Sequence, residues 1–326
     1  MKRRAFLTAF ASAAVSLPFA AGAQQARRVR HVGVLMLYPE SDPEGQLRAR
    51  AFREGLEERG WVIGRNLQID FHWGVGDLEW TSSAVAEMVK RAPEVLLANS
   101  AQAARAAQPA SRTIPTVFIA GDPMTQGFVQ SLAQPGGNMT GFTALNLGSK
   151  SLELLKEMAP PVARVAVLIN PDNLSNMADT RLAAVAAEKL AVEAVAAPIR
   201  TVPEVEAAME MIASKPNGGL IVPADPFLAG HRKLIVGLAA RYRLPAVYAQ
   251  RSFVVDGGLA SYGASIPALF RQAAGYVDQI LRGEKAANLP VQRPTTFELV
   301  INLRAANALG VGLTPQLLAL ANELIE

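Results

Sequence analysis

Short apolar runs alternate along the chain with segments whose apolar residues recur at helical spacing. The clearest run is Thr116–Ala120, which stops at Gly121-Asp122-Pro123. A β-branched and aromatic run of this kind is typical of a buried parallel strand that delivers polar groups to a loop at its carboxyl end. We expect a short amphipathic helix after Pro123 and then a glycine-rich exit at Pro135-Gly136-Gly137-Asn138.

The rest of the first half shows the same alternation. Its other predicted strands are His31–Leu37, a strand through Leu67, Ile69 and Phe71, and Glu94–Ala98. Its predicted helices are Ser41–Arg59, Thr81–Arg91 and Ala101–Gln108. Strands that alternate with helices in this way predict an α/β doubly wound parallel sheet.

The second half starts this pattern again. Three stretches recur in order at offsets of about 133, 125 and 130 residues: HVGVLMLYP with RVAVLINP, EVLLANS with GLIVPADP, and IPTVF with LPAVY. The predicted strands of this half are Arg164–Ile169, Ala191–Ala196, Gly219–Val222 and Ala246–Tyr248. The predicted helices are Ser149–Met158, Asn176–Leu190, Val202–Ala213 and Leu228–Arg241. We therefore expect two similar doubly wound lobes.

Two glycine-flanked stretches, Thr140–Ala144 and Gly257–Gly263, are predicted to join the lobes as a hinge, because glycine absorbs changes in φ and ψ at low cost. A long helix at Pro267–Arg282 would return to the first lobe. We assign lobe 1 to residues 27–141 plus about 262–290, and lobe 2 to about 145–258. Residues 291–326 cross back, and the sequence leaves their lobe open.

The first 23 residues have the features of a signal peptide. Lys2-Arg3-Arg4 is a basic start, an apolar stretch follows, and Ala21-Gly22-Ala23 is a cleavage site that predicts cutting after Ala23. A transmembrane anchor is the alternative, but Pro18 breaks the stretch and large apolar residues are few. Arg3-Arg4 also fits twin-arginine export, so the route is left open. We expect a periplasmic protein.

Removal of this segment changes the charge argument. Residues 1–23 carry three of the 32 basic residues and no acidic residue, so the mature chain keeps 29 basic and 28 acidic residues, a net charge of +1. No cluster of Lys and Arg interleaves with aromatic residues, which excludes a nucleic-acid groove. The chain has no cysteine, which excludes a lipid-modified cysteine and hence a lipoprotein.

Catalytic motifs are missing from the sequence. His31, His72 and His231 share no metal-ligand spacing, so structural or solvated histidines are favoured over ligands. There is no G-x-S-x-G elbow, Walker loop or H-E-x-x-H pair. Gly136-Gly137 lacks the Lys-Ser/Thr ending of a phosphate loop and is typical of a turn. The sequence predicts no enzyme activity, no metal site and no cofactor.

Polar and aromatic groups do collect at the carboxyl ends of the predicted strands, where open α/β sheets bind ligands. A helix that starts after Ser100 offers backbone N–H groups to a ligand carboxylate, and Asp122 or Asp225 could receive an ammonium group. The alternative for both Asp-Pro pairs is an ordinary turn and helix start. Tyr248 is expected in the core. The predicted ligand-binding residues are Tyr38, Ser100, Ala101, Asp122, Pro123, Asn170, Asn173, Asp225, Phe227, Gln250 and Tyr262.

Several longer stretches resemble a known family. They are GDPMTQGFVQSLAQPGGNMTGF, KSLELLKEMAP, RLPAVYAQRSFVVDGGLASYG and ILRGEKAANLPVQRPTTFELVINLRAANALG, which together span nearly the whole mature chain. The chain resembles the ABC-transporter substrate-binding proteins of the family that includes tryptophan- and tyrosine-binding members. This resemblance implies a type I periplasmic-binding fold with a cleft that closes on a ligand. It does not name the ligand, because Tyr38–Glu44 and Asp225–Gly230 are where such proteins vary with their ligand.

We therefore expect the periplasmic solute-binding component of an ABC importer. Its ligand would be an amino acid, aromatic ones included, or an aromatic or other small organic acid, and its partner an inner-membrane ABC permease. We expect a monomer that binds no nucleic acid. The alternatives are a ligand-sensing periplasmic module for a membrane receptor, which would have the same fold, and a periplasmic enzyme on two α/β lobes.

Overall fold

The computed structural model describes residues 29–74, 78–110, 112–144 and 147–326. The predicted signal peptide and the start of lobe 1 at residue 27 lie outside these residues. The first half forms strands β1 (Arg30–Met36), β2 (Leu67–Trp73), β3 (Val95–Ala98), β4 (Thr116–Gly121) and β5 (Met139–Ala144). Its helices are α1 (Pro43–Glu57), α2 (Leu78–Lys90) and α3 (Ala101–Ala110). Within the described residues these strands form one parallel sheet in the order β2-β1-β3-β4-β5.

The second half repeats this order and extends it. Its strands are β6 (Arg164–Ile169), β7 (Glu193–Pro198), β8 (Gly218–Val222), β9 (Ala246–Tyr248), β10 (Ala260–Ala264), β11 (Phe297–Asn302) and β12 (Glu323–Ile325). Its helices are α4 (Gly148–Met158), α5 (Leu174–Leu190), α6 (Val202–Ala213), α7 (Pro226–Gly230), α8 (Arg232–Arg241), α9 (Arg251–Val255), α10 (Ile266–Leu281), α11 (Leu303–Leu309) and α12 (Pro315–Leu320), with a 3-10 turn at Ala286–Asn288. In the described chain the second sheet runs β12-β11-β10-β9-β8-β6-β7.

The two sheets share one topology, because β7-β6-β8-β9-β10 repeats β2-β1-β3-β4-β5. The predicted fold class, two doubly wound parallel lobes joined by a hinge, is confirmed. The second sheet gains β11, which pairs antiparallel with β10, and then β12, which pairs parallel with β11. The tail, whose lobe the sequence left open, therefore joins the second sheet, and Leu317 of α12 is fully buried in that core.

Strand β1 shows why its sequence forms a central parallel strand. Val32, Val34 and Met36 pack into the core on the side of α1 and α10, whereas Leu35 and Leu37 pack into the core on the side of α2 and α3. A parallel strand covered by helices on both faces needs a continuous apolar run rather than an alternating one. The run His31–Leu37 meets that need.

Helix α10 returns to the first lobe. Its Leu269 and Phe270 are buried in the first-lobe core with Phe52 of α1, and Trp61 donates a hydrogen bond to Asp278 of α10 at 2.8 Å. The chain therefore passes between the lobes three times: after β5, after β10, and again before β11. The two stretches predicted as hinge crossings are strands β5 and β10 themselves, each immediately followed by a crossing.

The prediction of a short helix after Pro123 is wrong. Residues 123–127 form hydrogen-bonded turns without a helix, in which Gln126 donates to the carbonyl of Asp122 at 3.2 Å and Phe128 to that of Pro123 at 2.9 Å. The backbone of Gly127 has φ +73°, which ends helical winding at that point. Phe128 then packs on Phe118 of β4 with ring centroids 5.7 Å apart. In the part of the chain that the structure describes, no helix could cross a membrane.

Candidate functional site

A cavity of about 100 Å³ lies between the lobes. The carboxyl ends of β1, β3 and β4 face those of β6, β8 and β9 across it, and the crossing segments after β5 and β10 form its back wall. Apolar groups make up much of its surface, among them Ile119, Ile221, Pro223 and Ile266. The site is therefore an interlobe pocket with apolar walls and a small number of polar groups, the usual form of a small-molecule site.

The first-lobe wall carries one buried cation. Arg48 of α1 is 4% exposed, and its Nε and Nη2 each donate to Glu44 Oε1 at 3.1 Å. Its guanidinium lies 4.5 Å from the ring centroid of Tyr38. Burial acts to lower the pKa of Arg48, but Tyr38 and Glu44 raise it beyond its usual value, so the group stays charged. Burial also raises the pKa of the Tyr38 hydroxyl, which stays neutral.

Beside this cation lie Asn99 and Ser100, the two residues that follow β3. Arg48 Nη1 lies 3.5 Å from Asn99 Oδ1. The Nδ2 group of Asn99 is buried and has no hydrogen-bond partner among the described residues. Ser100 Oγ accepts the backbone N–H of Ala103 at 3.0 Å and so caps the start of α3. This wall therefore presents an amide donor and a helix N-terminus to the cavity.

The second-lobe wall carries Asp225, which is 3% exposed. Its Oδ1 accepts the backbone N–H groups of Phe227 at 2.8 Å and Leu228 at 3.2 Å, which caps α7. Its Oδ2 accepts Nδ2 of Asn170 at 3.2 Å and Nδ2 of Asn173 at 2.9 Å. Burial raises the pKa of Asp225, and the four hydrogen bonds act to lower it. Asp225 is thus a carboxylate whose two oxygens are both engaged by donors of its own lobe.

Two further polar groups on this wall lie on α5. Asp179 is 8% exposed, and its Oδ1 accepts the backbone N–H groups of Leu147 at 2.7 Å and Gly148 at 3.0 Å. Burial raises the pKa of Asp179 to about 7, against the lowering effect of those two hydrogen bonds. Ser175 Oγ is buried and has no hydrogen-bond partner in the described chain. Both residues line the cavity.

Contacts across the cleft show that the lobes are closed. The Tyr38 hydroxyl lies 3.5 Å from Gln250 Oε1. Arg232 of α8 donates to Asp42 at the start of α1 at 2.7 Å, and its Nε lies 2.7 Å from Asp256 in its own lobe. Gly121 is so close to the second lobe that a Cβ atom at this position would lie 2.4 Å from Ser175 Oγ.

The structure brings six of the predicted binding residues to the cavity: Tyr38, Ser100, Ala101, Asn173, Asp225 and Gln250. Asn170 and Phe227 line an adjoining space of about 880 Å³ instead. Asp122, Pro123 and Tyr262 are not among the described residues that line either space. Asp122 turns to cap its own loop, with Oδ1 accepting the N–H of Thr125 at 3.2 Å. Tyr262 stacks on Phe297 of β11, at 6.0 Å between ring centroids. Tyr248 is fully buried in the core, as expected.

Arg48, Ser175 and Asp179 also line the cavity but were not predicted, because the sequence places candidate site residues only where strands end. These three lie inside helices. One signal was present in α5: Ser175 and Asp179 are one helical turn apart, in line with the buried Ala183. Polar residues on the buried stripe of a helix need partners that the core does not supply. The described residues contain no cluster of three or more His, Asp or Glu side chains that could hold a metal ion.

Comparisons with known proteins agree with this geometry. The family model described as ABC transporter substrate binding protein matches residues 37–325. A tyrosine-binding protein of Clostridioides difficile is 27% identical over 284 residues, which cover 87% of this chain and 81% of that protein. A crystal structure of a conserved domain protein from Vibrio cholerae is 28% identical, with a TM-score of 0.86 over 91% of this chain and 100% of that one.

Two further solved structures differ in whether a ligand is bound. An ABC domain from Streptococcus pneumonia in complex with L-Trp is 24% identical, with a TM-score of 0.85 over 91% of this chain and 99% of that one. The ligand-free, open structure of a substrate-binding protein with adhesive properties from Clostridium difficile is 25% identical, with a TM-score of 0.68 over the same shares. Both structures share the fold of this chain.

Proposed function

The chain belongs to the family of ABC transporter substrate-binding proteins, and from this premise we propose that it is the periplasmic solute-binding component of an ABC importer. It binds a small organic solute between its lobes and presents the closed form to an inner-membrane ABC permease. The solute is bound and released without any covalent chemistry. The solute is an amino acid, and an aromatic one fits the apolar walls of the cavity.

The observation that carries this proposal is the set of unpaired polar groups inside the closed cavity. Asn99 Nδ2 belongs to one lobe and Ser175 Oγ to the other, and among the described residues neither has a hydrogen-bond partner. Leaving a polar group buried and unpaired costs roughly 1–3 kcal/mol. A ligand that supplies partners to both walls removes this cost only when the lobes are closed. Such a ligand shifts the population from open to closed, and the permease can then recognise the ligand-bound receptor by its closed form.

The chemistry of the walls supports an amino acid. A ligand carboxylate matches the first-lobe wall, where the charged Arg48, the Asn99 amide and the α3 N-terminus converge. The relatives named above include a tyrosine-binding protein and an L-Trp complex. An aromatic side chain would lie against Tyr38 and the isoleucines of the apolar wall.

Export and delivery complete the proposal. The basic, apolar and small-residue segments of residues 1–23 are those of a cleaved signal peptide. The mature chain then diffuses freely in the periplasm, because without cysteine it has no thiol for a lipid anchor. We also expect it to be a monomer, the form that suits delivery to a permease. We expect no binding to nucleic acid, because the mature chain has 29 basic and 28 acidic residues and therefore a net charge of only +1.

A thermal-shift screen of residues 24–326 tests the proposal. The protein is first unfolded and refolded to remove any co-purified ligand, and then mixed with the proteinogenic amino acids, aromatic carboxylates and small organic acids. A ligand at about 100 times its dissociation constant adds roughly 2.7 kcal/mol to the free energy of unfolding, a clear shift in Tm. We expect hits among the amino acids, recovered chemically unchanged. Turnover of a hit would contradict the receptor, and a flat screen would contradict the ligand class.

A further inference from the structure

We propose that Asp179 is the residue that binds the ligand's ammonium group, an inference that rests on the proposed function of the same cleft. The sequence pointed instead to Asp122 or Asp225 for this role. Asp122 lies away from the cavity, whereas Asp179 lines it. The choice is therefore between the two buried carboxylates of the second-lobe wall.

The hydrogen bonds of these two carboxylates decide between them. Asp225 has donors on both oxygens, two backbone N–H groups and two asparagine amides, all from its own lobe. Asp179 has donors on Oδ1 alone, and in the described chain Oδ2 has no partner. A carboxylate oxygen offers two acceptor sites, so Asp179 keeps the free acceptor capacity that an ammonium donor requires.

The position of Asp179 is fixed before a ligand arrives. Its backbone carbonyl lies so close to Gly148 that a Cβ atom there would come within 2.0 Å of it. This close packing of α5 on α4 holds the Asp179 carboxylate against the two N–H groups at the start of α4. A preorganised group of this kind loses little conformational entropy when a ligand binds.

Electrostatics favours the same assignment. Burial of a carboxylate with only one engaged oxygen is unfavourable, and the raised pKa of Asp179 expresses that cost. A ligand ammonium would bring the missing positive charge into the cavity. The charged Arg48 lies on the opposite wall and is paired with Glu44. An amino acid with its carboxylate toward Arg48 and its ammonium toward Asp179 would thus complement both walls.

Isothermal titration with matched ligand pairs tests this inference. The pairs are L-tyrosine with 3-(4-hydroxyphenyl)propionate and L-tryptophan with indole-3-propionate, which differ only in the ammonium group. Wild-type protein should prefer the amino acid of at least one pair by about 30-fold or more, the range for a buried charge pair. Asp179→Asn should lose about that factor for the amino acid and change the affinity for the deaminated acid by less than about threefold.

The Asp179→Asn variant is a conservative choice, because the asparagine Oδ1 can still accept the N–H groups of Leu147 and Gly148. Asp278→Asn is the matched control: it removes one carboxylate from a helix of the first lobe, far from the cavity, and should leave both affinities unchanged.

Three results would overturn the inference. One is an equal preference for the amino acid in wild type and Asp179→Asn. Another is wild-type protein that binds the deaminated acids as tightly as the amino acids. This result needs no variant, so it counts even if Asp179→Asn does not fold. The third is wild-type protein that binds no member of either pair and no other amino acid, which would overturn the proposed ligand class as well.

Discussion

Two Asp-Pro pairs follow buried strands, one in each lobe, and they have different roles. Asp225 is 3% exposed and lines the cavity. It caps α7 through Oδ1 and accepts two asparagine amides through Oδ2. Asp122 is half-buried and stands at φ +39°, and among the described residues its carboxylate accepts only the N–H of Thr125. The same dipeptide is part of the cavity wall in one lobe and a loop turn in the other.

The shared strand order explains the difference. Asp225 follows β8, whose equivalent in the first sheet is β3, and Asp122 follows β4, whose equivalent in the second sheet is β9. The true counterpart of Asp225 is therefore Ser100, which also caps a helix and lines the cavity. The counterpart of Asp122 is the region of Gln250. Position in the sheet, rather than the dipeptide, decides which residues reach the cavity.

Substitution of the two aspartates by alanine should give the largest contrast. Asp225→Ala removes a helix cap and leaves two asparagine amides unpaired, so it should lower the free energy of unfolding by about 3 kcal/mol. Asp122→Ala should cost about 1 kcal/mol, because it loses one exposed hydrogen bond and keeps a left-handed backbone. Urea denaturation of both variants measures this contrast, and equal losses would contradict it.

Gly121→Ala would make the two tripeptides identical, since Ala224 precedes Asp225. The new Cβ atom would lie 2.8 Å from Ser175 Cβ in the closed form, so it should hold the lobes apart. We expect a 10- to 100-fold loss of affinity for the hit of the screen, roughly the 1–3 kcal/mol of an overpacked contact. The stability of the empty protein should not fall. Gly237→Ala, where the structure shows open space, is the control and should bind normally.

The pH dependence of stability extends the comparison to Asp179. Its pKa is about 7 in the folded protein, against 3.8 for an aspartate in water, so between these values the folded chain takes up a proton before the unfolded chain does. Wild type should therefore gain stability relative to Asp179→Asn as pH falls from 7 toward 5, by about 1 kcal/mol per pH unit. The pKa of Asp225 is also raised by burial, but Asp225 is present in both proteins, so its contribution cancels in the difference between them. Urea denaturation of both empty proteins at pH 7.5, 6.5 and 5.5 measures it, and a constant difference would refute it.

Asp122→Gly should have the smallest effect. Glycine adopts φ +39° without steric cost, which offsets the lost hydrogen bond to Thr125. We expect a change within about 0.5 kcal/mol and unchanged ligand affinity. A loss of affinity in this variant would restore Asp122 to the binding site.

The fold was predictable because its signals are local. Continuous apolar runs and the Gly, Pro and Asp residues after them mark the strands, and the repeat of three motifs marks the second lobe. The site was predictable only where it uses strand ends, as at Tyr38, Ser100 and Asp225. Arg48 and Asp179 reach the cavity from helix interiors, because of how α1 and α5 pack on their sheets. No sequence period marks Arg48, whereas Asp179 carries one signal, its place one helical turn from the buried Ser175 and Ala183. The turn after Pro123 shows the same limit, since the positive φ of Gly127 overrides a helical pattern.

The ion pair between Asp42 and Arg232 joins the lobes without any contribution from a ligand. It lowers the free energy of the closed form whether or not the cavity is filled, so some empty molecules should be closed at any moment. In an importer, a permease that binds an empty closed receptor would hydrolyse ATP without transporting a solute. In the proposed importer role, a stronger Asp42–Arg232 ion pair would increase the fraction of empty molecules that are closed when they meet the permease. The unpaired Asn99 and Ser175 groups in the cavity would then determine how much a bound ligand increases the closed population.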